Sequence, residues 1–291
     1  MIRRKRFALH LPSRKLVLGE RTLIMGVLNI TPDSFSDGGD YLDSNAAVAR
    51  ALQLEVDGAD LLDVGGESTR PGAVPVAAEE ELRRILPVIE ALRGKLRIPM
   101  SVDTRNADVA EAALAAGAEI INDVSGLRND PRLGQVVRRA RAAVILMHMR
   151  GTPRTMQRGP FARDIIRDVA TGLREALARA KRAGIPRGRL LVDPGIGFGK
   201  SHEQNFEILA RLPEFTRLGC PLVIGTSRKA FLGKALVKPG EPVAPLGERL
   251  LGTASTVTAA ILGGAHIVRV HDVAEMARVA RVADAVAHGS D

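Results

Sequence analysis

Eight short apolar runs punctuate the chain, and each gives way to a polar cluster. They are Leu23–Ile30, Ala59–Gly65, Ile98–Thr104, Ala118–Val124, Ala142–Met149, Leu190–Ile196, Pro221–Thr226 and Ala265–Val270. Their apolar residues fall at successive positions (Ile-Ile, Val-Ile-Leu-Met), as parallel strands buried on both faces require. Between the runs the apolar spacing widens to that of a helix. Val48, Leu52 and Val56 form one stripe in Asn45–Asp57. Leu82, Ile85, Leu86 and Ile89 form another in Glu79–Arg93, which opens on acids suited to a helix N-terminus. Further helices are predicted over Ala107–Ala116, Pro131–Ala140, Ala162–Ala183, Glu203–Leu212, Glu248–Leu262 and Val273–Ala287. Gly58-Ala59, Gly117-Ala118 and Gly264-Ala265 repeat one junction, a helix-stopping glycine followed at once by a strand.

Eight alternating strand–helix units predict an α/β protein, a closed (β/α)8 TIM barrel over residues 23–291. Ahead of it, Phe7–Leu11 and Lys15–Gly19 flank Pro12-Ser13-Arg14, so residues 1–22 read as a hairpin extension plugging the barrel's bottom. Such barrels place their chemistry at the C-terminal strand ends. Those ends hold Asn29, Asp63, Asp103, Asn122, His148, Asp193, Ser227 and Arg269. Two long connections, Ile30–Asp43 and Gly66–Ala78, carry glycine and proline and have the length of lids or binding loops.

Composition narrows the partners only slightly. The net charge is +9, from 42 basic and 33 acidic residues. The chain has one Tyr, no Trp and no long basic run, and its arginines fall largely on helices, as in Arg138-Arg139-Ala140-Arg141. That pattern describes a solvated outer helix ring rather than a nucleic-acid surface. The single Cys220 leaves no intrachain disulfide and points to a reducing, cytoplasmic setting. No apolar stretch reaches the roughly 18 residues of a membrane span.

The strand-end residues carry more information. Asp103, Asn122 and Asp193 suit a flat heterocycle, since a carboxylate accepts two parallel bonds from an N–C–N edge and an amide both donates and accepts. The competing reading is helix capping, for which Asp103 before Thr104-Arg105-Asn106 is well placed. Arg70, Lys229, Arg269 and His271 suit a phosphate-bearing ligand, or else an ion-pair network with Asp63, Glu67 or Asp272. His148 reads equally as a core histidine, and His271-Asp272 lacks the spacing of a metal site. Gly199-Lys200-Ser201 imitates the end of a phosphate loop, but the required first glycine falls on Pro194.

Taken in order, eight segments resemble the dihydropteroate synthase family along nearly the whole chain. They are Met25–Gly39, Asp63–Gly72, Ser101–Thr104, Ile121–Gly126, Met147–Met149 with Gly151–Pro153, Asp193–Lys200, Ser227–Lys229 and Arg269–Asp272. The resemblance implies condensation of a dihydropterin methyl diphosphate with p-aminobenzoate, with Mg²⁺ and an SN1-like loss of pyrophosphate. It implies catalytic roles for Asp37, Arg70, Asp103, Lys229, Arg269 and His271. The pterin would be read by Asp103, Asn122, Asp193 and Lys229, and the diphosphate by Thr69, Arg269, the Val270 backbone and His271. Asn29 would hold Mg²⁺. Phe35, Pro71, Phe198, Lys229 and Ala230 would form the benzoate pocket, although many family members have serine at the position of Ala230. The resemblance also implies a homodimer with small-molecule substrates, and neither nucleic acid nor membrane as partner. A methyltetrahydrofolate methyltransferase is the nearest rival. It would share the Asp/Asn pocket but has no use for the two loop motifs or the cations.

Overall fold

The computed structural model describes residues 4–31, 40–67, 76–152, 155–156, 159 and 161–288, with backbone alone at 40–43. Barrel strands β3 (Leu23–Asn29), β4 (Leu61–Gly65), β5 (Met100–Asp103), β6 (Ile120–Asp123), β7 (Ala143–Met147), β8 (Leu190–Asp193), β9 (Val223–Ile224) and β10 (Ile267–Val270) follow the predicted runs. All pair in parallel in the order β8-β7-β6-β5-β4-β3-β10-β9. A bridge between Val192 and Leu222 joins the two ends, so the sheet closes on itself. The Val192 N–H donates to the Pro221 carbonyl at 3.0 Å.

The helices are α1 (Asp40–Val56), α2 (Ala78–Leu92), α3 (Ala107–Ala116), α4 (Leu133–Arg139), α5 (Ile165–Arg182), α6 (His202–Ala210), α7 (Ala230–Ala235), α8 (Leu250–Leu262) and α9 (Val273–His288). Two differ from the apolar pattern in an instructive way. Helix α1 begins five residues before the predicted Asn45, which shortens the first long loop. The six-residue α7 is too short to show a helical stripe. At the repeated junctions Gly58, Gly117 and Gly264 have φ of +107°, +121° and +100°, which stops each helix as expected.

Strands β1 (Phe7–His10) and β2 (Lys15–Leu18) form the predicted antiparallel hairpin. Its Leu9, Leu11 and Leu18 pack with Leu23, Met25, Leu61, Ile120, Ala143, Ile145, Leu191, Val223 and Ile267. These are the barrel's lower interior residues, so the hairpin caps the bottom with apolar surface. The intervening residues Ile24, Leu62, Val102, Ile121, Val144, Val192 and Val268 belong to the separate core beneath the helices.

The two-residue repeat of a strand then fixes what lines the upper interior. Two positions beyond Leu61, Ser101, Ile120, Leu191 and Ile267 stand Asp63, Asp103, Asn122, Asp193 and Arg269. One strand face thus supplies both the plugged floor and the polar mouth. Among the described residues no helix is long and apolar enough to cross a membrane.

Candidate active site

Register brings the polar ends together. Asn29 lies opposite Gly65, Gly65 opposite Asp103, and Asp103 opposite Asn122 across β3 to β6. A β-carbon on Gly65 would sit 3.6 Å from Asp103 Cβ and 3.7 Å from Asn29 Oδ1, so glycine there leaves room between the two side chains.

Asp63, completely buried, is the hub of the polar mouth. Its Oδ2 accepts from Arg269 Nε at 2.6 Å and from Asn122 Nδ2 at 3.0 Å. Arg269 Nη2 reaches Asp103 Oδ2 at 3.1 Å. Both readings of the cations are therefore partly realised, since Arg269 lies at the mouth and is also ion-paired. Glu67 and Asp272 pair instead with Arg105 and Arg228. Burial raises the pKa of Asp103, with Arg269 the largest opposing influence.

The capping alternative fails for Asp103, because Asn106 caps α3 by accepting from the Asp108 N–H at 2.9 Å. At β6 the work is divided. Asp123 accepts from the Ser125 and Leu127 N–H groups at 2.7 and 2.5 Å, while its neighbour Asn122 faces the interior. Asp193 does hold a local turn, accepting from the Gly195 N–H through Oδ1 at 2.6 Å, and its carboxyl is nonetheless at the mouth. Burial pushes its pKa up, and the nearby Lys229 ammonium opposes the shift.

Lys229 donates to the Ile196 carbonyl and lies 4.6 Å above the Phe198 ring. Burial lowers its pKa to about 8, with Asp193 pulling the other way. Phe198 packs against an apolar wall of Val124, Met147, Met149 and Met156. Ala230 opens α7 immediately after Lys229. Val270 points into the outer core, so only its backbone is available to a ligand. Phe35, Asp37, Thr69, Arg70 and Pro71 lie outside the described residues.

His271 departs from the expected cationic set. Burial lowers its pKa to about 3, reinforced by Arg269, so the ring is neutral near pH 7. Its backbone N–H donates to Ser227 Oγ at 3.2 Å, and Nδ1 lies 3.0 Å from the same hydroxyl. With Ser227 donating to Nδ1, the ring proton is on Nε2 and that nitrogen becomes a donor for an anion. Ser227→Ala is expected to raise KM for a diphosphate substrate about fivefold and leave KM for the amine unchanged, the scale of one hydrogen bond. Steady-state kinetics with each substrate varied will test this, and an unchanged diphosphate KM removes Ser227 from the site.

His148 takes the structural alternative: burial lowers its pKa to about 4, and it contacts Lys200 and Asp168 instead of the mouth. Among the described residues no group of three or more His, Cys, Asp or Glu could hold a metal.

The profile of the family described as pterin binding enzyme matches residues 25–271. Dihydropteroate synthase from Synechocystis is 47% identical over 92% of this chain and 91% of its own length. The chain belongs to the dihydropteroate synthase family. The Escherichia coli dihydropteroate synthase is 44% identical over 90% of each chain. The structure of the Xanthomonas albilineans dihydropteroate synthase with 4-aminobenzoic acid is 43% identical, with a TM-score of 0.89 over 98% of this chain and 100% of that one. The complex of that bacterium's enzyme with 7,8-dihydropteroate gives 42% identity and a TM-score of 0.83 over 94% and 97%.

Membership in this family of transferases agrees with the sequence reading. Two residues were harder to read from sequence. Asp63 is visible at a strand end, but only the barrel register shows it to be the anchor of Asn122 and Arg269. Lys200 reads as a fragment of a phosphate loop, and nothing local indicates its buried position.

Proposed function

We propose that this chain condenses (7,8-dihydropterin-6-yl)methyl diphosphate with p-aminobenzoate, giving 7,8-dihydropteroate and pyrophosphate. The carrying observation is the inward ring of Asp103, Asn122 and Asp193, with Lys229 and Arg269 at the same mouth. Asp193 would accept from the pterin's 2-amino and ring N–H edge, and Asn122 and Asp103 would read the other edges. Lys229 would close over the ring, with the Phe198 wall beside it. Arg269, the Val270 backbone and neutral His271 would hold the diphosphate.

Asn29 offers a hard amide oxygen at the end of β3, beside Asp103 and across from Gly65. A single protein oxygen suits Mg²⁺, which usually keeps several waters and takes the remaining ligands from substrate phosphates. When bound, Mg²⁺ would neutralise charge growing on the leaving diphosphate. The protein's own part is electrostatic. Arg269 and the His271 donor face the departing anion, while Asp103 faces the positive pterin methylene left behind. The amine nitrogen then bonds to that carbon and gives up one N–H proton to solvent, with no covalent enzyme intermediate. Asp37 and Arg70 at the reacting centre, Thr69 on the diphosphate, and Phe35, Pro71 and Ala230 around the benzoate retain the roles implied by the resemblance. A homodimer and a cytoplasmic location belong to the same proposal.

The test is pyrophosphate release by the purified protein, with each substrate and Mg²⁺ omitted in turn. Release coupled to dihydropteroate formation, and lost without Mg²⁺, is the expected result. Tight pterin binding without turnover would favour the methyltransferase reading.

A further inference from the structure

Lys200 has no part in the proposed reaction, yet it is the largest fully buried side chain among the described residues, at 2% exposure. Its Nζ lies 2.9 Å from the His148 carbonyl, 2.8 Å from the Gly195 carbonyl and 2.9 Å from His148 Nδ1. An ammonium has three protons, and three acceptors meet them here. Burial pushes the pKa of Lys200 well down, and the Asp193 carboxylate is the largest influence against that shift. His148 Nε2 lies 3.4 Å from Asp168 Oδ2 on α5. A carboxylate on that side favours the proton on Nε2, which leaves Nδ1 as an acceptor for Lys200.

Gly195 faces both Lys200 and the mouth, through the two peptide units that meet at its α-carbon. The Gly195 N–H donates to Asp193 Oδ1, and the Gly195 carbonyl accepts from Lys200. Gly195 has φ of +70°, and a β-carbon there would lie 1.9 Å from the His148 carbonyl oxygen. The turn is thus drawn against the end of β7 as closely as glycine allows. On the far side, a β-carbon on Gly172 of α5 would sit 2.5 Å from His148 Cδ2, so glycine there gives the imidazole its place. Asp168, His148, Lys200, Gly195 and Asp193 form one continuous chain from the outer helix to the mouth.

We propose that Lys200 is a positioning residue for pterin recognition, fixing the Gly195 turn from its carbonyl side so that the Gly195 N–H holds the Asp193 carboxylate in one orientation. This rests on the reading that Asp193 binds the pterin. It also accounts for the lysine of Gly199-Lys200-Ser201, whose ammonium is directed at protein acceptors rather than a phosphate.

A double-mutant cycle separates positioning from general stabilisation. Binding of 6-hydroxymethylpterin is measured by competition calorimetry for the full chain, Lys200→Met, Asp193→Asn and the double variant. Lys200→Met is expected to weaken binding about tenfold in the parent, the scale of a lost charge-assisted hydrogen bond. In the Asp193→Asn background its effect falls below about twofold, because the group it positions is already lost. Equal losses in both backgrounds, or no loss in the parent, overturn the proposal. If Lys200→Met does not fold, Lys200→Gln replaces it, since its amide can still donate two bonds. Partial weakening confined to the Asp193 background is then expected, and equal loss in both backgrounds again overturns it. Failure of the parent chain to bind the pterin would instead defeat the pterin reading itself.

Discussion

Asp193→Asn should lower pterin affinity about a hundredfold, near 3 kcal/mol, while the fold stays intact. The substitution keeps the shape of the side chain. Its remaining oxygen can still accept from the Gly195 N–H, which now bonds Asp193 Oδ1 at 2.6 Å. What changes is the outward atom, where an amide NH₂ donor replaces a carboxylate oxygen acceptor. The pterin edge assigned to it presents N–H groups, so donor meets donor in a pocket where Asp193 is 7% exposed and water cannot readily substitute. Stability should change little, because the variant also removes a buried charge whose pKa burial had raised. Calorimetry with a dihydropterin and a thermal melt check both halves. Near-normal affinity would remove Asp193 from the pterin site.

Arg269→Ala has a second large effect that sequence reasoning alone understates. From the motif, its loss falls on the diphosphate substrate. In the structure, Arg269 also bonds Asp63 at 2.6 Å and Asp103 at 3.1 Å, and both carboxylates are buried. Removing one partner of a buried ionic network costs about 3–5 kcal/mol, since the charges left behind stay in a poor solvent. The variant should therefore lose stability as well as diphosphate binding.

The deficit has a defined pH dependence. Burial already raises the pKa of Asp103, and without Arg269 it rises further. The folded variant then binds more protons than the unfolded chain, so its stability falls as pH rises. Urea unfolding should show the largest deficit relative to the parent above about pH 7 and a smaller one near pH 5. Adding Asp63→Asn should recover stability without restoring diphosphate binding. A variant as stable as the parent at pH 8 would contradict the network.

The chain's local pattern was enough to place the chemistry. Strand periodicity puts Asp63, Asp103, Asn122, Asp193 and Arg269 two positions beyond interior residues, and short-range stereochemistry alone sets that repeat. The Gly-Ala junctions and the Pro12-Ser13-Arg14 hairpin were legible for the same reason. The family motifs then gave these addresses a reaction.

Tertiary structure decided which of those residues meet and in what charge state. Arg269 and Asp63 are 206 positions apart, and only the register of a closed barrel makes them partners. His271, a potentially cationic member of the set, is held neutral because burial, and then Arg269, depress its pKa. Lys200 reaches its acceptors because the Gly195 turn packs on His148 of another strand end. Each is a nonlocal outcome: spacing along one strand sets a side chain's face, whereas hydrogen-bond partners and proton affinity depend on what the rest of the fold brings beside it.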